Sequence, residues 1–201
     1  MKDKIEKKQV RKECVDIRKK VKTPFFLDGA LVAMFTAIIA VCAWISIPLP
    51  GGVSVTLQTF AVFLAVGTLG LKRGTLSVIV YVLLGAVGVP VFSLFKGGLA
   101  VLVGQTGGYI FGFVLSALVC GAICLAAKNR IWVLIVGMVA GLIVCYAVGT
   151  AWFYYIYTRD TGAVSVMTVL GWCVFPFIIP DAVKIVLAAI ITNRVRRYIS
   201  F

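Results

Sequence analysis

The chain has 201 residues, of which 62% are hydrophobic and only 13% charged, and its mean hydropathy is +1.08. A soluble domain carries roughly a quarter charged residues, so a soluble globular fold is excluded and one compact, lipid-embedded helical domain is expected. The formal net charge of +13 does not describe a nucleic-acid-binding face: ten of the 20 Lys and Arg residues fall in the first 22 positions, and all the others except Lys184 lie in breaks between apolar runs or near the C-terminus.

Residues 1–27 form a basic tail in which Ile5, Val10, Val15, Ile17 and Val21 alternate with Lys and Arg, a composition suited to a helix lying on anionic lipid. The apolar run that follows, Gly29 to Ile47, is longer than the core of a cleaved signal peptide and stays as the first span. A helix crosses a bilayer with about 20 apolar residues, and runs of that kind occupy 28–47, 54–71, 74–91, 105–127, 131–157 and 164–193. Leu71-Lys72-Arg73-Gly74 alone divides the second from the third. The sixth is too long for one straight span and holds Pro176 and Pro180, which predict a kink or a break.

With the N-terminus cytoplasmic, the inner segments hold the basic tail, Lys72, Arg73, Lys128, Arg130, Arg194, Arg196 and Arg197, and the outer ones only Lys96 and Arg159. The positive-inside rule then favours six spans with both termini in the cytoplasm. Trp152, Phe153, Tyr154, Tyr155 and Tyr157 cluster where the fifth span meets the outer interface, either as belt residues or as packing between helices.

Within the spans, Asp181 and Lys184 stand out. Their i, i+3 spacing puts them on one helix face, and ionisable groups at membrane depth mark a site or a self-satisfying structural pair. The loop Ile47 to Thr56, rigid at Pro48 and Pro50 and flexible at Gly51 and Gly52, could fold over a pocket as a lid. A second outer loop carries Lys96, and Gly104-Gln105-Thr106-Gly107-Gly108 opens the fourth long helix. Small-residue pairs at Ala33/Ala37, Gly108/Gly112 and Gly137/Gly141 allow close helix approach. With no His and no Cys-x-x-Cys, nothing points to a metal site; no nucleotide-binding motif is present, so the chain is not expected to use ATP by itself.

Residues 46–60, Ser-Ile-Pro-Leu-Pro-Gly-Gly-Val-Ser-Val-Thr-Leu-Gln-Thr-Phe, then Leu84 to Phe92, Gly97-Gly98-Leu99, Thr106-Gly107-Gly108-Tyr109 and Pro180-Asp181-Ala182-Val183-Lys184 together resemble, in this order, the BioY family of biotin-binding S components of energy-coupling factor transporters. The resemblance covers about 28–197. It implies a non-enzymatic, multi-pass cell-membrane subunit, 28–201, that captures biotin and works with a transmembrane coupling protein and two ATPase subunits. No cofactor is implied. Ala33 and Ala37 would dock the coupling protein. Asp181 and Lys184 would meet the ureido ring, Lys96 the carboxylate, and Phe92, Tyr109 and Tyr146 the bicyclic ring. Gln58 would belong to the lid with Pro48, Pro50, Gly51 and Gly52. Tyr81 is the nearest polar residue where the family uses an amide; Gln105 replaces a more usual Pro, and Lys96 a frequent Arg. The alternatives are a stand-alone secondary carrier, with Asp181 and Lys184 as a proton relay, or an S component for another vitamin.

Overall fold

The computed structural model describes residues 25–49, 52–126 and 131–198. Nearly all of the basic tail, Pro50, Gly51, Lys128 and Arg130 lie outside these residues. The elements run α1 (Phe25–Trp44), β1 (Ser46–Pro48), β2 (Ser54–Thr56), α2 (Gln58–Val87), a short 3-10 turn (Ser93–Phe95), α3 (Leu99–Val103), α4 (Gly107–Ala126), α5 (Ile131–Thr161), α6 (Val166–Cys173) and α7 (Phe175–Tyr198). The fold is all-α apart from one hairpin, and among the described residues five helical segments are long and apolar enough to cross a membrane.

The segment Gln58–Val87 is two arms, broken at Gly70, where φ is 80° and ψ −177°. In a straight helix Gln58 and Tyr81 would stand roughly 35 Å apart; instead their side chains are hydrogen-bonded. The arms therefore fold back on each other. Gly70 takes the left-handed φ that a Cβ disfavours, and Gly74 lets the returning arm lie against the first: a Cβ there would sit 2.5 Å from the Val66 Cα and 2.9 Å from the Ala65 carbonyl oxygen.

At the Gly70 end, the Arg73 guanidinium pairs with Asp28 at 2.9 Å, tying α1 to the second arm. Arg196 Nε donates to the Gly67 carbonyl, one of the orphan acceptors at the end of the first arm. Asp28 stands outside the sequence expectations: one residue at the edge of an apolar run carries no periodic signal.

At the other end, β1 and β2 pair antiparallel with Ile47 opposite Val55. A hairpin therefore stands where a lid-like loop is expected, and the second run starts as helix only at Gln58. Its apolar side packs on the ends of α5, α6 and α7 through Val53, Phe153, Val169, Cys173 and Phe177. Gly52, at φ +86°, faces the Gln105 side chain. The last apolar run is divided between α6 and α7, with the break at Val174. Pro176 sits in the first turn of α7, where its missing N–H costs nothing; Pro180 lies inside the helix. The aromatic cluster on α5 divides as well: Tyr154 and Tyr155 are exposed, whereas Phe153 is fully buried and Tyr157 stacks on Phe153 and meets Trp172 at a tilt.

Replacing Gly74 by Ala forces a Cβ into backbone that has no rotamer to yield. Unfolding in detergent should show a loss on the order of 1–3 kcal/mol, while Gly29→Ala, whose Cβ would meet nothing within 4 Å in a helix that favours Ala over Gly, should leave the midpoint no lower than wild type.

Candidate ligand-binding site

Beneath the hairpin lies a cavity that opens to solvent; the empty space in it and its mouth, open solvent included, is about 650 Å³. The hairpin covers it with Val53, Ser54 and Thr56; the start of α2 adds Gln58 and Thr59; the 88–98 loop adds Phe92 and Ser93. Tyr109, Ile110 and Phe113 of α4 form an apolar wall, and α5 and α7 close it with Tyr146, Phe177, Asp181 and Lys184.

Asp181 organises the polar side. It is 2% exposed, and Lys184, one turn further along α7, is 5% exposed. Lys184 Nζ donates to Asp181 Oδ1 at 2.6 Å, Thr59 Oγ1 donates to the same oxygen at 3.0 Å, and the Tyr146 hydroxyl donates to Oδ2. A buried carboxylate without such partners costs several kcal/mol; here the donors come from three separate helices. A carboxylate offers about four lone-pair sites and an ammonium three protons, so the pair keeps acceptor and donor capacity while satisfying itself.

The remaining expected residues separate into those that face the cavity and those that do not. Tyr109 lines it, its ring against Gly149 and its hydroxyl beside Thr150 Oγ1 at 3.1 Å. Phe92 lines it too, almost fully buried, its ring seated on Gly85. Gln58 is a buried wall residue at the start of α2, below the hairpin. Tyr81 does not line the cavity: it is fully buried, with its hydroxyl donating to the Val91 carbonyl at 3.1 Å and accepting from Gln58. Lys96 is exposed and outside the lining; its backbone carbonyl accepts from Phe92 N. Pro48 is exposed on β1, and Pro50 and Gly51 lie outside the described residues. Ala33 and Ala37 sit on the exposed face of α1 and do not line the cavity.

Thr59 and Phe177 are among the site residues the sequence expectations miss, together with Ile110, Phe113 and Cys145. Thr59 stands in the quoted segment 46–60, yet nothing in that segment says that it meets a residue 122 positions away. Among the described residues, no group of three His, Cys, Asp or Glu comes together that could hold a metal ion.

A helical membrane bundle with a partly enclosed cavity, apolar along one wall and ionic at one point, is the build of a membrane protein that holds a small molecule. Its fold matches the crystal structure of the S-component for biotin from an ECF-type ABC transporter with a TM-score of 0.78 at 24% identity, over 88% of this chain and 94% of that one. The S component of a bacterial ECF transporter aligns at a TM-score of 0.53. The sequence profile of the BioY family matches residues 12–201, and the chain belongs to that family. It is similar to the biotin transporter BioY of Thermotoga maritima, 49% identical over 164 residues, which is 82% of this chain and 92% of the relative. The probable biotin transporter BioY of Pyrococcus horikoshii is 41% identical over 84% of this chain and 96% of its own length.

Breaking the ion pair on one side leaves a buried charge alone. Lys184→Met should therefore destabilise the protein by about 3–5 kcal/mol, and Asp181→Asn combined with Lys184→Met should recover much of that loss in thermal unfolding.

Proposed function

We propose that the chain is the substrate-binding subunit of an ATP-driven energy-coupling factor transporter and captures biotin from outside the cell with high affinity. The observation that carries the reading is the Asp181 and Lys184 pair buried in a cavity of a chain 49% identical to a biotin transporter. Biotin presents two ureido N–H donors and one carbonyl acceptor, an apolar thiophane ring and a carboxylate. The spare acceptor capacity of Asp181 suits a ureido N–H, and the protons of Lys184 not given to Asp181 suit the ureido oxygen. Phe92, Tyr109 and Tyr146 offer ring faces and edges to the bicycle. Lys96, three residues from the cavity-lining Ser93, would take the carboxylate at the entrance by reaching inward from its loop.

In this reading the two arms of α2 are separate spans and α6 with α7 forms a single broken one, giving six spans with both termini cytoplasmic. The separation of charge supports that orientation: Lys72, Arg73, Arg194 and Arg196 lie toward the Gly70 end, Lys96 and Arg159 toward the hairpin. The hairpin and the segment through Gln58 act as the outer lid. Energy comes from outside the chain, through a transmembrane coupling protein and two ATPase subunits. The exposed small residues Ala33 and Ala37 would form the docking face for the coupling protein, where a second helix can approach closely.

Labelled biotin should bind the purified protein in detergent without ATP, and riboflavin and thiamine should not compete. Asp181→Ala should abolish that binding in protein that still elutes as a folded species; normal binding by this variant would remove Asp181 from the site. Competition by another vitamin would reassign the ligand. Ala33→Trp or Ala37→Trp should leave biotin binding intact and reduce co-purification with the coupling protein, and unchanged assembly would refute the docking face.

A further inference from the structure

Tyr81 is buried behind the cavity wall, yet its hydroxyl stands in a chain of hydrogen bonds whose direction is set at one end. The Val91 carbonyl can only accept, so the single Tyr81 proton is given to it, at 3.1 Å. The Tyr81 oxygen is left to accept, and its other partner must be the amide nitrogen of Gln58. That fixes which end of the amide faces Tyr81. Gln58 Oε1 then points to the Thr56 hydroxyl, which donates to it at 3.0 Å and accepts from the Gln58 backbone N–H at 3.3 Å. Thr56 and Gln58 line the cavity, as does Phe92, the residue after Val91, whose ring lies edge-on to Tyr81 with centroids 5.6 Å apart.

We infer that Tyr81 is a positioning residue: without touching the ligand, it locks the orientation of the Gln58 amide and ties the hairpin to the 88–98 loop across the mouth of the cavity. With one Nε2 proton and one Oε1 lone pair committed, Gln58 presents the ligand with its second N–H and second lone pair, a donor and an acceptor side by side. Such an edge complements a cyclic urea or amide, which also carries a donor beside an acceptor, better than it does a carboxylate, which only accepts. The inference rests on the biotin-capture reading for its ligand.

The test is a double-mutant cycle on biotin binding with Tyr81→Phe and Thr56→Val, two residues bridged by Gln58. Each single variant should raise the Kd about fivefold to tenfold, as expected for freeing one end of a buried amide. The double variant should raise it little further, because the relay is already broken. A residue with a purely structural role would lower the unfolding midpoint and the active fraction, but the folded fraction would bind with an unchanged Kd. A Kd within about twofold of wild type for either single variant, or effects that multiply in the double, would overturn the inference. Should Tyr81→Phe not accumulate as folded protein, Thr56→Val is compared with and without Gln58→Leu: its effect must vanish when the amide is gone, and an effect that persists overturns the relay. Wild type and Asp181→Ala run in the same assay keep the two readings apart. Biotin binding by the first and not the second upholds the capture site whatever Tyr81→Phe does.

Discussion

A carboxylate kept at membrane depth is the constraint around which this molecule is arranged. Asp181 has almost no contact with solvent, so its charge is tolerable only while Lys184, Thr59 and Tyr146 surround it. Those donors lie on α7, on the first arm of α2 and on α5. The bonds that hold the carboxylate are therefore also bonds between helices, and they fix the walls of the cavity relative to one another.

The hairpin of arms in α2 makes that convergence geometrically available. A fold-back at Gly70, kept tight by Gly74 against Val66, returns the chain so that Gln58 at the start of one arm and Tyr81 near the end of the other reach the same level. At the opposite end, Arg73 with Asp28 and Arg196 with the Gly67 carbonyl bring three segments of the chain together where the first arm ends. Between these ends the described bundle is packed mainly by apolar and small side chains, with Thr36, Ser77 and Ser116 buried among them.

Much of this was legible from residue order alone, and the reasons it stops are physical. Hydropathy reports burial in lipid directly, so the long helices and the division near Lys72 could be read from composition. A charged pair at i, i+3 within an apolar run is equally plain, because the cost of burying it is large. The partners of Asp181 were not legible: Thr59 and Tyr146 are 122 and 35 residues away, and neither distance corresponds to any helical period. The three-residue strands of the hairpin lie in a Pro- and Gly-rich segment whose local pattern is that of a loop. Tyr81 is expected at the ligand only as the polar residue nearest the family's amide position, whereas packing spends its hydroxyl on Gln58 and Val91. A side chain's type shows what it can bond to, and only the fold decides with whom.

Between the last residue of β2 and the first of α2 stands a single residue, Leu57, whose N–H reaches the carbonyls of Cys42 and Ile45. The hairpin is therefore hinged on almost no slack. A cover on a long tether could swing aside and leave the floor of the cavity undisturbed. This one is geared to it: Thr56 bonds to Gln58, and Thr59, one residue further, holds the carboxylate. If the strands lift as the proposed lid, the movement would reach Asp181 within a single helical turn, and the opening of the mouth and the loosening of the deepest charge would belong to one mechanical stroke.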